Sequence, residues 1–186
     1  MSDYYELLGI PRSLNVSLDA LQQRYYELSR QLHPDRFMQA PEAERQRALD
    51  RSSALNDAYR TLKDPIKRAQ YLLRLEGFDI GEQRSQDVPP KLLEEVFELN
   101  MALEEMRGGD ASARPQLEEA EKNFADILGG SSVLLETLFR QYDDSRSRDV
   151  LGEIRDVLNR RKYIQNLVSE VEKTLVANPR SPVPNP

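Results

Sequence analysis

The sequence predicts an all-α protein built as two helical units, and three observations carry that prediction. Apolar residues recur at steps of three and four along most of the chain, the spacing of one helix face. Charged residues make up 31% of the 186 positions against 39% hydrophobic, a balance that suits amphipathic helices with solvated outer faces. Prolines stand where the rhythm breaks, at Pro34, Pro41 and Pro89-Pro90, and so mark helix ends and starts.

The first segment, "DYYELLGI", predicts a short apolar helix. Leu18, Leu21, Tyr25, Leu28 and Leu32 then form one face of a longer helix, with Ser17 able to cap its start and Asp19 suited to the positive end of its dipole. Pro34 ends it and pushes His33 to the last helical position or the first of a loop. The loop "HPDRFMQAPE" leads through Pro41 to a second helix with Ala48, Ser52, Leu55, Tyr59 and Leu62 in register. Two amphipathic helices joined this way pack antiparallel, which places His33-Pro34-Asp35 at the exposed tip of a helical hairpin. "KDPIKRAQYLLRLEGFDI" supplies a further helix that closes a first domain, residues 1–80.

A polar linker, 81–90, precedes a three-helix bundle over 91–177, and the tail 178–186, "NPRSPVPNP", is expected to be disordered. The bundle's first helix, "KLLEEVFELNMALEEM", carries more apolar residues than one core face needs. At ~100° per residue, Leu92, Val96, Leu99, Leu103 and Met106 make a core stripe, while Leu93, Phe97 and Met101 form a second stripe roughly 140° away, flanked by Glu94, Glu98 and Glu105. The second stripe is either buried between two neighbours or an exposed apolar patch with an acidic rim, and the patch is the favoured reading. Leu117, Ala120, Phe124 and Ile127 predict the middle helix; Val150, Ile154, Val157, Ile164, Val168, Val171 and Leu175 predict the last. Gly129-Gly130 would cost about 2 kcal/mol inside a helix, so the middle segment is expected to break or kink there.

Composition excludes several function classes. A net charge of −6 argues against nonspecific nucleic-acid binding, which is supplied by basic groups meeting phosphates. "GIPRS" and "RGGDAS" match neither phosphate-loop fingerprint. Without cysteine there is no disulfide framework, thiolate metal site or cysteine nucleophile. No window approaches the ~18 consecutive apolar residues of a spanning helix, and "MSDYYELLGIP" lacks the features of a secretory signal, so no membrane association and a cytoplasmic location are expected.

His33 is the one histidine, and it stands in "RQLHPDRF". A metal site would need three or four convergent ligands, and a hydrolytic triad would need an activated nucleophile beside an oriented base. Neither pattern is present, so no cofactor, no metal and no enzymatic activity are expected.

"DYYELLGIP", "LHPDRF", "LNDAYRTLKDP" and "KRAQYLL" fall in the order and spacing of a J-domain, the co-chaperone module of the DnaJ class, which the first 80 or so residues resemble. "RAQYLLRLEGFDI" followed by an acidic helical region resembles, more narrowly, the HscB-type co-chaperones of iron-sulfur cluster assembly. The resemblance implies that His33, Pro34 and Asp35 dock on a DnaK-class (HscA-like) ATPase chaperone and stimulate its ATPase. It also implies a local basic patch of Arg24, Arg30 and Arg36, although an ordinary solvated face would look the same in sequence. It further implies that Leu93, Phe97, Glu98 and Glu105, with Tyr163 on the last helix, bind an IscU-type iron-sulfur scaffold. Glu94 stands where that family usually has a methionine, and Met101 where it usually has an acid. The expected function is a co-chaperone that delivers the scaffold to the ATPase chaperone; the alternative is a general DnaJ-like protein that binds unfolded clients.

Overall fold

A computed structural model describes residues 3–79 and 90–179, and among these every regular element is helical. Helix α1, Tyr4–Leu8, starts from Asp3, whose carboxylate accepts from the Glu6 backbone N–H at 2.8 Å while the Glu6 side chain accepts from the Asp3 N–H at 3.4 Å. Burial disfavours the Asp3 carboxylate, but the Glu6 N–H and Arg12 together hold its pKa below the ordinary value. The helix stops at Gly9, which turns left-handed at φ +65°; a Cβ there would sit 2.8 Å from the Arg24 guanidinium.

Helix α2, Leu18–Gln31, is capped by Ser17 as its sequence predicts. Helix α3, Glu42–Lys63, and helix α4, Pro65–Leu75, meet at Asp64, whose carboxylate accepts from the N–H groups of Ile66 and Lys67, both at 2.9 Å. Tyr5, Leu8, Leu14, Leu21, Leu55, Leu62, Leu72 and Leu73 fill the core between them. Leu18, read as part of the apolar face, is instead 52% exposed, since it opens the helix ahead of the packed turns. Arg68 is buried, donating to the carbonyls of Leu14 at 3.0 Å and Leu62, which satisfies a guanidinium otherwise stranded in the core.

Helix α5 is Pro90–Arg107, α6 is Arg114–Ser145 and α7 is Arg148–Ala177. One compact unit comprises Met1–Ile80 with Leu138–Arg155, and the other Gly81–Thr137 with Asp156–Pro186. The far ends of α6 and α7 thus pack with the N-terminal helices. Asp143 shows how: its carboxylate accepts from Ser13 Oγ at 2.7 Å, the N–H of Leu14 at 2.9 Å, and the N–H and side-chain amide of Asn15 at 2.7 and 3.0 Å. Arg148 adds a bond to the Glu76 carbonyl at 3.0 Å and lies over the Phe78 ring. Replacing Asp143 with alanine leaves these donors unpaired, and the expected loss is about 2 kcal/mol, seen as a melting point several degrees lower by circular dichroism. A variant that melts with the parent would show that the 13–15 loop is held by other contacts.

In the other unit, Leu92, Val96, Leu99, Leu103 and Met106 of α5 pack with Leu117 and Phe124 of α6 and Ile164, Leu167 and Val171 of α7. The core stripe read from the sequence is the core. Of the two outcomes expected at Gly129-Gly130, a break or a kink, the break does not occur: α6 runs as one helix from Arg114 to Ser145. Arg161 of α7 supplies part of the reason, donating to the Leu128 carbonyl at 2.5 Å and to Ser131 and Ser132 at 2.6 and 2.9 Å. Tertiary bonds and packing on α7 offset the poor local propensity. The linker 81–90 lies outside the described residues except for Pro90, which opens α5, and the tail lies outside them beyond Pro179.

Candidate functional site

The α2–α3 hairpin presents the tripeptide. His33 takes an extended conformation (ψ 130°) and caps a single 3-10 turn, Pro34–Phe37, with Pro34 at its start, so the segment is a tight turn rather than an open loop. The turn closes through the Arg36 N–H to the His33 carbonyl at 3.0 Å, and the Asp35 N–H lies 3.4 Å from His33 Nδ1. The side chains of His33 and Asp35 are 57% and 76% exposed. Nothing in the fold needs either of them buried, and both ring and carboxylate are available to a partner.

The three arginines are not equivalent. Arg24 folds back on its own domain, donating to the Leu8 carbonyl at 3.3 Å and pairing with Glu27 at 2.8 Å. Arg30 and Arg36 are exposed and have no carboxylate within ion-pair distance among the described residues; the Arg36 guanidinium reaches the Arg30 carbonyl at 3.4 Å. The patch is therefore concentrated at Arg30 and Arg36, next to the turn. Beside Arg30, Tyr26 is 53% exposed in a shallow depression with Asp19, Gln22 and Glu27, a feature not anticipated from sequence.

On α5, Leu93, Phe97 and Met101 are 48%, 65% and 50% exposed, so the second stripe faces outward. Glu98, Met101 and Glu105 also line a groove of about 530 Å³ between α5 and α6, with Gln116, Glu119 and Asn123 on its far wall. The α6 wall was missed in sequence because its residues carry no motif and meet α5 only through folding. Tyr163 is half-buried on α7, where it packs against the bundle core.

The DnaJ domain family matches residues 3–71. Over nearly the whole chain the fold is similar to that of the chaperone HscB from Vibrio cholerae, with 30% sequence identity and a TM-score of 0.68 across 94% of this chain and 99% of that one. The chain belongs to the HscB family of J-domain co-chaperones. The human co-chaperone HscB is similar as well, at 26% identity and a TM-score of 0.63 over 95% of this chain and 84% of that one.

In this HscB family member the His33-Pro34-Asp35 turn and the α5 stripe belong to different compact units, one site on each. Among the described residues no group of histidine and acidic side chains is arranged to hold a metal ion, and no helix is long and apolar enough to cross a membrane.

Proposed function

We propose that this HscB family member is a cytoplasmic, non-enzymatic co-chaperone of iron-sulfur cluster assembly. Its His33-Pro34-Asp35 turn, with Arg30 and Arg36, stimulates the ATPase of a DnaK-class, HscA-like chaperone. Its α5 surface, Leu93, Phe97, Glu98 and Glu105 with Tyr163 nearby in role, binds an IscU-type scaffold and delivers it to that chaperone. The observation that carries the reading is the pairing, in one chain, of an exposed J-domain turn with a large outward apolar stripe on a separate unit. An exposed phenylalanine between two exposed leucine- and methionine-bearing turns is costly in water and marks a protein-binding surface.

Capture experiments with the full chain test the reading, because the second unit's long helices also build the first. One ATPase chaperone and one scaffold are expected to be retained; a broad set of unfolded clients that compete with each other would favour the general DnaJ-like alternative. Charge makes a separate prediction. Reversing Arg30 and Arg36 to glutamate is expected to slow docking by about tenfold at low salt, and wild-type stimulation is expected to weaken as salt shortens the ~10 Å screening length of 0.1 M solution. Stimulation that ignores salt would remove the electrostatic contribution.

A further inference from the structure

Helix α6 carries an outward face that its own chain leaves uncovered. Val133 and Leu134 are 66% and 47% exposed, and Gly129 and Gly130 stand one turn before them. Glycine is the poorest helix former after proline, and inside a helix it is commonly found where another element needs the space of the missing side chain. A Cβ at either position would meet nothing within 4 Å, so no described part of the chain uses that space. The charges flanking the glycines are placed symmetrically. At ~100° per residue, Lys122, Ala125, Val133 and Glu136 all lie within about 40° of Gly129, and all five positions are exposed. Lys122 and Glu136 stand seven positions before and after Gly129, and Ala125 and Val133 stand four. Neither Lys122 nor Glu136 has an ion-pair partner among the described residues.

We infer that this face is a self-association surface, on which two copies of the chain pack α6 against α6 in antiparallel, crossing at Gly129. The face is complementary to itself when turned end over end. Lys122 of each copy then lies level with Glu136 of the other, and Ala125 lies level with Val133, so both ion pairs form and the exposed valine is covered. Glycine at the crossing lets the two backbones approach, which gives the uncovered position a use. A parallel pair would set Lys122 against Lys122 and Glu136 against Glu136, so charge selects the antiparallel one. The face spans about 21 Å of one helix and buries less than the ~1,200 Å² of a standard stable interface. Association is therefore weak, with a dissociation constant on the order of 100 μM.

The test is sedimentation of the full chain from about 10 μM to about 1 mM at low salt, where exposed ion pairs are least screened. The average mass of the parent is expected to rise toward that of a dimer. Lys122→Glu and Glu136→Lys each place like charges level in the pair, and each is expected to weaken association by at least about tenfold. Mixing these two variants pairs every charge again, as does the double exchange Lys122→Glu/Glu136→Lys, and both are expected to associate like the parent. Glu172→Lys, the same charge change at an exposed position of α7, is the control, and mixing it with Lys122→Glu is expected to restore nothing. Gly129→Gln separates the crossing from any structural role of the glycine: helicity and melting are expected to hold or rise, because glutamine is the better helix former, while association falls. A parent that stays monomeric to about 1 mM would leave the face to a different protein and overturn the proposal. A dimer that survives both single charge reversals, or variants that fail to recover on mixing, would overturn it as well, because the copies would then meet through another surface or in another register.

Discussion

His33→Gln is expected to abolish stimulation of the partner chaperone's ATPase while leaving the fold unchanged. The imidazole is 57% exposed, and its local contacts are both to Asp35, whose N–H and carboxylate Oδ2 each lie 3.4 Å from Nδ1. A bond that long is weak, and surface substitutions without buried partners usually change stability by no more than about 0.5 kcal/mol. The turn itself is closed by backbone, through the Arg36 N–H and the His33 carbonyl at 3.0 Å, which glutamine preserves. What glutamine removes is the ring at the position where a partner would read it. The measurement is single-turnover ATP hydrolysis by the chaperone, with and without the variant. The rate is expected to fall to the unstimulated value, with circular dichroism and melting as in the parent. A variant that stimulates normally would show that the turn is not the point of contact. One that melts much lower would show that His33 holds the hairpin together.

The second large effect is expected from Leu93→Ser combined with Phe97→Ser. Anchors of an interface often contribute about 2 kcal/mol or more each, and each 1.4 kcal/mol is tenfold, so affinity for the scaffold is expected to fall by at least ~100-fold. In the sequence alone the same double change could equally unfold the bundle, by opening cavities and burying hydroxyls. The structure separates the two outcomes: Leu93 and Phe97 are 48% and 65% exposed, whereas Leu92 and Val96 beside them are 6% and 8% exposed. Serine at the outer positions leaves the core intact. Helicity, melting and ATPase stimulation in the absence of scaffold are therefore expected to match the parent while calorimetry shows no scaffold binding. Tight residual binding would move the interface elsewhere. A melting point many degrees lower would return the stripe to the core.

The sequence by itself determined what depends on neighbours within one or two turns. Ser17 before α2 and the five apolar positions of the α5 core stripe were legible because capping and facing are set by residues three or four apart. The placement of His33 followed from Pro34, whose ring closes the helical conformation to the residue before it. Motif order over the first 80 or so residues also carried the family resemblance, which the comparison with the Vibrio cholerae protein bears out.

Tertiary structure decided whatever depends on residues brought together from far apart. Gly129-Gly130 reads as a break or kink in any local window, yet α6 continues as one helix, in part because Arg161, more than 30 residues away, bonds the Leu128 carbonyl. Arg24 reads as one of three equal surface charges, and only the approach of α1 shows it bound to the Leu8 carbonyl. Asp143 carries no signal at all until folding sets it against Leu14, 129 positions earlier in the chain, and Glu119 has none until α6 lies beside α5. The physical reason is common to all four. Propensity and periodicity act over a few residues, whereas the environment of a charge or of a weakly helix-forming segment is set by partners of large sequence separation, which the fold alone brings within reach.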